Sequence, residues 1–330
     1  MFMRRLFAFM ALLPLVTGGA QAAEWRVTRI VTPARVLRLD ILAGAPRVNA
    51  GGLWYALGLD KGAVTLRFID APPPPKPPDG VLPGGRVVAG TRDIARAWLA
   101  APTDRYSHAV FGHRLAAGSL VIETRAGKRF TVRLKDDAVF EDLAPRLVDL
   151  DGDGRDEIVL VKSYLRRGAA LVVIAQRRGN YEIVAETPPL GQPGRWLAPA
   201  GFAPFTGDGT MKIALVREPH TVGTLELWDW RDGRLQKLAA LAGFANHIAG
   251  SDALAMSAAA DFDGDGAADL ALPSFDRTQL RIVSFKPEMH EIAAVPLPAP
   301  AATDLALIPG PPALIALGLA DGSLVTIGRN

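Results

Sequence analysis

The sequence contains no cysteine. That excludes a disulfide framework, thiolate zinc ligands, a thiol nucleophile and a lipidated N-terminal cysteine. Histidine is scarce at five residues and tyrosine at four. No H-E-x-x-H, G-x-S-x-G, P-loop or βαβ-embedded G-x-G-x-x-G pattern occurs. Charge of one sign is lacking too, with 37 Lys and Arg against 34 Asp and Glu. Long apolar runs are confined to the N-terminus, and no later stretch reaches the ~18 uncharged apolar residues of a membrane-spanning helix.

The N-terminus accounts for much of the small positive balance. Arg4 and Arg5 precede an eleven-residue apolar run (6–16, LFAFMALLPLV) and an A-x-A site at Ala20 and Ala22. This is the pattern of a secretory signal peptide over residues 1–22, its apolar run too short for a bilayer span. Removing it deletes two Arg and no acid, leaving 35 basic against 34 acidic residues. A near-neutral mature chain carries no basic nucleic-acid footprint. The expected product is a bacterial periplasmic or secreted protein, residues 23–330, with no membrane span after cleavage. No nucleic-acid partner is expected, and the chain is taken as a monomer.

What the chain does have is apolar residues (49%), 33 Gly and 26 Pro, enough for a large core and many turns. It also has a repeat. The segment 149–158 (DLDGDGRDEI) matches 261–270 (DFDGDGAADL) almost letter for letter. A third copy, 204–213 (PFTGDGTMKI), aligns with both without a gap. After each copy come three apolar runs separated by turns: 158–162, 170–175 and 181–185; then 213–217, 224–230 and 234–238; then 270–274, 280–285 and 290–295. An eroded upstream copy supplies 109–112, 119–124 and 129–134. The runs are short, β-branched and partly alternating, which is strand patterning; 94–99 is the single helical candidate.

Four strands per period of about fifty residues predicts an all-β chain, a β-propeller of four-stranded antiparallel blades. Runs 35–41, 53–58, 63–69 and 85–89 are read as a further blade, with a Pro-rich insertion at 71–84 (PPPPKPP over 72–78). The C-terminal runs 304–308, 313–318 and 323–328 lack a fourth strand, which 25–31 supplies. The count is six blades, with seven as the alternative.

The repeated acidic loop carries the chemistry. Asp149, Asp151, Asp153 and Glu157 stand at positions 1, 3, 5 and 9, and Asp261, Asp263, Asp265 and Asp269 repeat the spacing. Four carboxylates in nine residues repel unless a hard cation neutralises them, and oxygen-only ligands select calcium. The position-7 carbonyls of Arg155 and Ala267 can complete the shells. Position 12 is Leu160 or Leu272, not the acid an EF-hand needs, so strand–loop–strand sites are expected, two in number. In the middle loop Pro204, Thr206 and Lys212 replace three of the four ligand positions, Lys212 putting an ammonium at position 9, and no calcium is expected there.

The arrangement resembles the FG-GAP or VCBS-type repeat of bacterial VCBS-repeat proteins and the integrin α-subunit propeller. The resemblance implies calcium in the loop between the first two strands of a blade. It is specific at 149–157 and 261–269 and covers roughly residues 92–295. The primary functional reading is a calcium-stabilised binding module for a protein or glycan, without catalytic residues. One alternative is a polysaccharide-active lyase or hydrolase at the axial funnel, for which Tyr106-Ser107-His108, with His113 five residues on, is the candidate. Another is a cell-envelope assembly or scaffold protein. Contact loops are expected at 108–117, 188–196 and 220–223. Trp54, Trp196, Trp228 and Trp230 are assigned to the core, and His220 and His247 to exposed loops.

Overall fold

The computed structural model describes residues 24–42, 44–70, 76–310 and 313–329. The signal-peptide segment and the first part of the Pro-rich insertion lie outside the described residues. Every regular element among those described is a β-strand, and no helix there is long and apolar enough to cross a membrane.

Strand β1 (Trp25–Ile30) stands apart in sequence from the sheet it joins. One antiparallel sheet follows, β2 (Val36–Leu42), β3 (Ala45–Ala50), β4 (Leu53–Asp60) and β5 (Ala63–Ile69), paired in chain order. Next come β6 (Val88–Ala89), β7 (Ile94–Thr103), β8 (Ala116–Thr124) and β9 (Arg129–Arg133). The short β10 (Ala138–Phe140) pairs with both β8 and the following sheet. That sheet is β11 (Arg146–Val148), β12 (Glu157–Tyr164), β13 (Gly168–Arg177) and β14 (Asn180–Glu186). Two further four-stranded sheets are β15 (Leu197–Ala203), β16 (Lys212–Arg217), β17 (Thr224–Arg231) and β18 (Arg234–Ala242), and β19 (Ala258–Ala260), β20 (Asp269–Pro273), β21 (Gln279–Ser284) and β22 (His290–Pro296). Finally β23 (Ala301–Ile308), β24 (Leu314–Leu319) and β25 (Leu324–Arg329) take β1 as their fourth strand, Trp25 opposite Arg329 through Ile30 opposite Leu324.

The strand repeat is therefore real, with corrections at its worn copies. Ile94 to Leu99, the helical candidate, lie in β7: with Ile94, Trp98 and Leu99 buried in a sheet, packing overrides the weak local pattern. The run at 109–112 is irregular chain rather than a strand. Strand β3 was not anticipated, and Val88–Ala89 joins β7 instead of ending the first sheet. Strand β3 (APRVNA) has too few apolar residues to stand out as a run.

The core lies between sheets. Strands β12, β13 and β16 are buried on both faces and read as continuous Val, Ile, Leu and Ala, as sheets covered on both sides do. The fourth strands, such as β5 and β18, alternate exposed and half-buried positions. Leu225 and Leu227 of β17 share a cluster with Leu270, Leu272 and Val283 of the next sheet. Leu39, Val48 and Leu57 meet Ala306, Ala316 and Leu324 in the same way. Contacts run β9 to β14, β12 to β15, β15 to β19, β19 to β23 and β23 to β2.

Residues 243–257 cross between sheet ends as a strap. Asn246 donates to the carbonyls of Ala198 (3.3 Å) and Pro199 (3.0 Å). Gly250 N–H donates to Val110 at 2.8 Å. Arg38 reaches the Asp252 carboxylate at 3.2 Å and Arg86 its carbonyl at 2.6 Å. Ala255 donates to Asp304 and accepts from Leu305, both at 2.8 Å. The strap begins on Gly223, whose carbonyl accepts Gly243 N–H (2.8 Å) and Phe244 N–H (2.9 Å). Gly223 has φ +67°, and a Cβ there would sit 2.4 Å from the Phe244 carbonyl and 2.5 Å from the Phe275 ring. Gly223→Ala is expected to destabilise the fold by about 2 kcal/mol or more, read as a lower urea midpoint with an unchanged slope.

Candidate metal centres and the opposite histidine cluster

Each acidic loop joins the first strand of its sheet to the second: β11 to β12, β15 to β16 and β19 to β20. Positive φ at Gly152 and Gly154, and at Gly264 and Gly266, turns the first and third loops on themselves. Asp149 accepts N–H groups from Gly152 (2.8 Å) and Gly154 (3.1 Å); Asp261 does the same with Gly264 (2.7 Å) and Gly266 (3.0 Å). The result is convergence: ligand oxygens of Asp149, Asp151 and Asp153 lie within 4.8 Å of one another, as do those of Asp261, Asp263 and Asp265.

The position-9 acids are buried beneath these triads. Glu157 accepts Leu150 N–H at 2.9 Å, and Asp269 accepts Phe262 N–H at 2.9 Å and Asp263 N–H at 3.3 Å. Asp269 is completely buried; the Ser284 hydroxyl stands beside its carboxylate, but its Oδ1 accepts no well-formed hydrogen bond among the described residues. Burial, with the neighbouring loop acids adding repulsion, pushes Glu157 up to about 7 and Asp269 up to about 6. A buried carboxylate oxygen without a well-formed hydrogen bond, under three converging carboxylates, fits a hard divalent cation. The donor set is the same in both loops. The carbonyls of Arg155 and Ala267 follow the triads in the chain.

The middle loop has its own cation. Lys212 occupies position 9, is 2% exposed, and sets its Nζ 3.2 Å from Asp208 and 3.5 Å from Asp229, with a further bond to Thr210 Oγ1. Against the opposing effect of desolvation, hydrogen bonds from the Thr210 hydroxyl (2.7 Å) and N–H (2.9 Å), and then from Lys212, hold Asp208 well below the usual carboxylate range.

The outer loops are tied down by residues with no local sequence signal, Arg92 and Asp93 from the β6–β7 turn and Lys286 from the β21–β22 turn of its own sheet. Arg92 meets Asp156 at 2.9 Å and Asp149 at 3.6 Å. Asp93 accepts Asp156 N–H at 2.8 Å and the Tyr181 hydroxyl at 3.2 Å. Lys286 donates to the Asp265 carbonyl at 2.7 Å. Between the first two loops opens a cleft of about 770 Å³.

The expected contact loops meet at the other end of the strands. Tyr106 accepts Gly194 N–H at 2.8 Å, and Arg195 pairs with Glu218 at 2.9 Å. His108 lies in irregular chain, and its Nδ1 is 2.7 Å from the buried Glu141. The second oxygen of Glu141 accepts from Ser163, and its carbonyl accepts from Trp196 Nε1 (3.1 Å). Glu141 raises the His108 pKa through this bond. His220 and His247 are not the solvent-exposed pair expected. They stand 2.9 Å apart, His247 is 2% exposed, and Trp196 stacks on His220 at 5.9 Å. Because His247 Nε2 faces the Ser251 carbonyl (3.1 Å), it carries the proton and Nδ1 accepts from His220. Both ring nitrogens of His113 lack partners among the described residues. Trp196, Trp228 and Trp230 are core, as expected; Trp54 is half-buried under Arg47.

No family model and no curated protein matches the chain. Among solved structures it is similar to a rhamnogalacturonan lyase PL11 of Bacillus licheniformis (TM-score 0.44, 15% identity, 83% of this chain and 56% of that one). Rhamnogalacturonan lyase YesW gives 0.44 and 15% over 89% and 60%, and the exotype lyase YesX gives 0.39 and 17% over 90% and 67%. The chain thus spans less than two thirds of the first two. Likeness at these scores carries no argument about chemistry.

Two outcomes follow from the geometry. Lys212→Met removes the buried ammonium that lies against Asp208 and Asp229, and is expected to cost about 3 kcal/mol by urea denaturation at pH 7. Burial, with the adjoining His220, pushes His247 down to about 3, so below pH ~6.5 the unfolded chain gains a proton that the fold excludes. Stability is expected to fall by about 1.4 kcal/mol per pH unit from this group between pH 6.5 and 3. Denaturation of wild type against His247→Gln at pH 7.5 and 4.5 should isolate a difference of roughly 2.7 kcal/mol.

Proposed function

We propose that the mature chain is an exported, calcium-stabilised β-propeller of six four-stranded blades that serves as a binding module for a protein or glycan. The blade arrangement is supported by sheets that follow one another in chain order and by contacts from each to the next, β9 to β14, β12 to β15, β15 to β19, β19 to β23 and β23 to β2. The pairing of β1 with β25 supports a joint between the chain ends. A single observation carries the calcium reading: the three loops differ at position 9. Where Lys212 brings an ammonium, the loop's one carboxylate, Asp208, is neutralised from within. Where an acid stands there it is buried, and Asp269 keeps an oxygen without a well-formed hydrogen bond. The resemblance to FG-GAP and VCBS-type repeats agrees with calcium at those two loops. Export rests on the N-terminal segment.

A second reading, a polysaccharide-active enzyme, is favoured by the pairing of His108 with Glu141, the arrangement that orients a general base. The strap over residues 243–257 works against an axial funnel at that end. Turnover of a polysaccharide by wild type, lost in His108→Asn, whose amide can still donate to Glu141, would favour the enzyme; a binding module has no turnover to lose.

The calcium reading is tested by thermal melts with calcium and with chelator. An ion at 100 times its dissociation constant stabilises by about 2.7 kcal/mol per site. Asp151→Ala and Asp263→Ala are each expected to remove part of the calcium-dependent shift. Identical melts with and without chelator would overturn the metal assignment.

A further inference from the structure

A cleft lies at the acidic-loop end, apart from the histidine cluster. Its volume, about 770 Å³, is in the range of small-ligand sites. The ends of neighbouring sheets wall it: the first acidic loop, the end of β13 at Arg177, the middle loop and the β17–β18 turn. Its lining includes apolar groups, with Leu150 and Trp230 buried and Met211 half-buried. The Trp230 indole N–H has no acceptor among the described residues.

The polar rim is mixed in sign but unequal in pairing. Arg231 is 3.4 Å from Asp229, and Arg92 is engaged with Asp156 and Asp149. Arg177 is exposed and makes no ion pair or side-chain hydrogen bond among the described residues, and Asp232 stands exposed in the β17–β18 turn. A free guanidinium matches a carboxylate, and a free carboxylate accepts from hydroxyls. A polyanion such as a nucleic acid or an acidic peptide would meet Asp149, Asp151, Asp229 and Asp232 together. A neutral sugar would leave Arg177 unmatched. One carboxylate, several hydroxyls and an apolar ring face satisfy the whole lining.

We propose that this cleft binds a carboxylate-bearing saccharide, with Arg177 pairing the carboxylate, Asp232 accepting from hydroxyls and the apolar lining packing against the ring. This deepens the binding-module reading and rests on it. It does not require that the neighbouring loop hold calcium, although a bound cation would make the cleft more favourable to an anion.

The probe is an oligouronate of about three sugars, titrated calorimetrically into the full mature chain with and without calcium, beside a neutral oligohexose of equal length. Binding of the oligouronate over the oligohexose is expected. Arg177→Ala is expected to weaken it roughly tenfold or more, the size of one charge-assisted hydrogen bond, and Arg177→Lys to recover part of the loss. The calcium-dependent melting shift should be the same in Arg177→Ala as in wild type, showing that the fold and the loops are intact. No oligouronate binding, equal binding of the neutral sugar, or undiminished binding by Arg177→Ala would each overturn the proposal. Those results leave the calcium reading standing, and that reading fails only on the melts.

Discussion

One loop position governs this architecture. At position 9 of the repeated loop, the first residue of the second strand of a sheet, the side chain is buried in all three copies: Glu157, Lys212 and Asp269. Burial makes its charge expensive unless something opposite lies against it. Lys212 meets that demand with a tethered ammonium between Asp208 and Asp229. Glu157 and Asp269 instead add a fourth carboxylate to three that already converge. The two arrangements are opposite in sign: the middle sheet brings its own counter-charge to the loop, while its neighbours bring a further acid. Since each loop sets the register of a hairpin that begins a sheet, failure there would propagate into β12 or β20, two strands buried on both faces.

The two ends of the sheets have been put to different uses. At one end the strap over residues 243–257 ties together β15, the Val110 loop, β2 and β23 through backbone and side-chain bonds. The histidines there are packed against Trp196 and Phe111. Such a surface is close-packed and costly to open. At the other end hairpin turns and acidic loops leave a cleft with exposed charges. A ligand binds where loops are free to present side chains and a scaffold holds them still, which directs attention to the acidic-loop end.

Much of this was legible in the sequence, for reasons that differ by element. The acidic loops stand out because ligand spacing and turn glycines must be local, so the DGDG core survives as a string. Lys212 was legible as the odd member of an aligned set. Strand β1 was placed because the C-terminal repeat was short by one strand. What was hidden is long-range. Nothing near Arg92 or Asp93 indicates that they latch onto a loop some sixty residues away, and nothing near Glu141 announces His108. Strand β7 was misread because its apolar residues serve two faces, which blurs the alternation that marks a half-exposed strand. The strap had no signature, since irregular chain is specified by the partners it meets.

The His108–Glu141 pair illustrates how a catalytic-looking geometry can be read. Glu141 gives one oxygen to His108, the other to Ser163 and its carbonyl to Trp196, while its N–H donates to Val161 at 3.0 Å. Those partners come from the β7–β8 loop, from β12 and from the approach to β15. A carboxylate that orients a base needs only the first of these bonds. All four together make Glu141 a buried junction between sheets, with His108 as the member that seals it from solvent. The same residues would therefore answer a mutation first through stability, and a catalytic claim for His108 has to be separated from that effect by a variant that keeps the bond to Glu141.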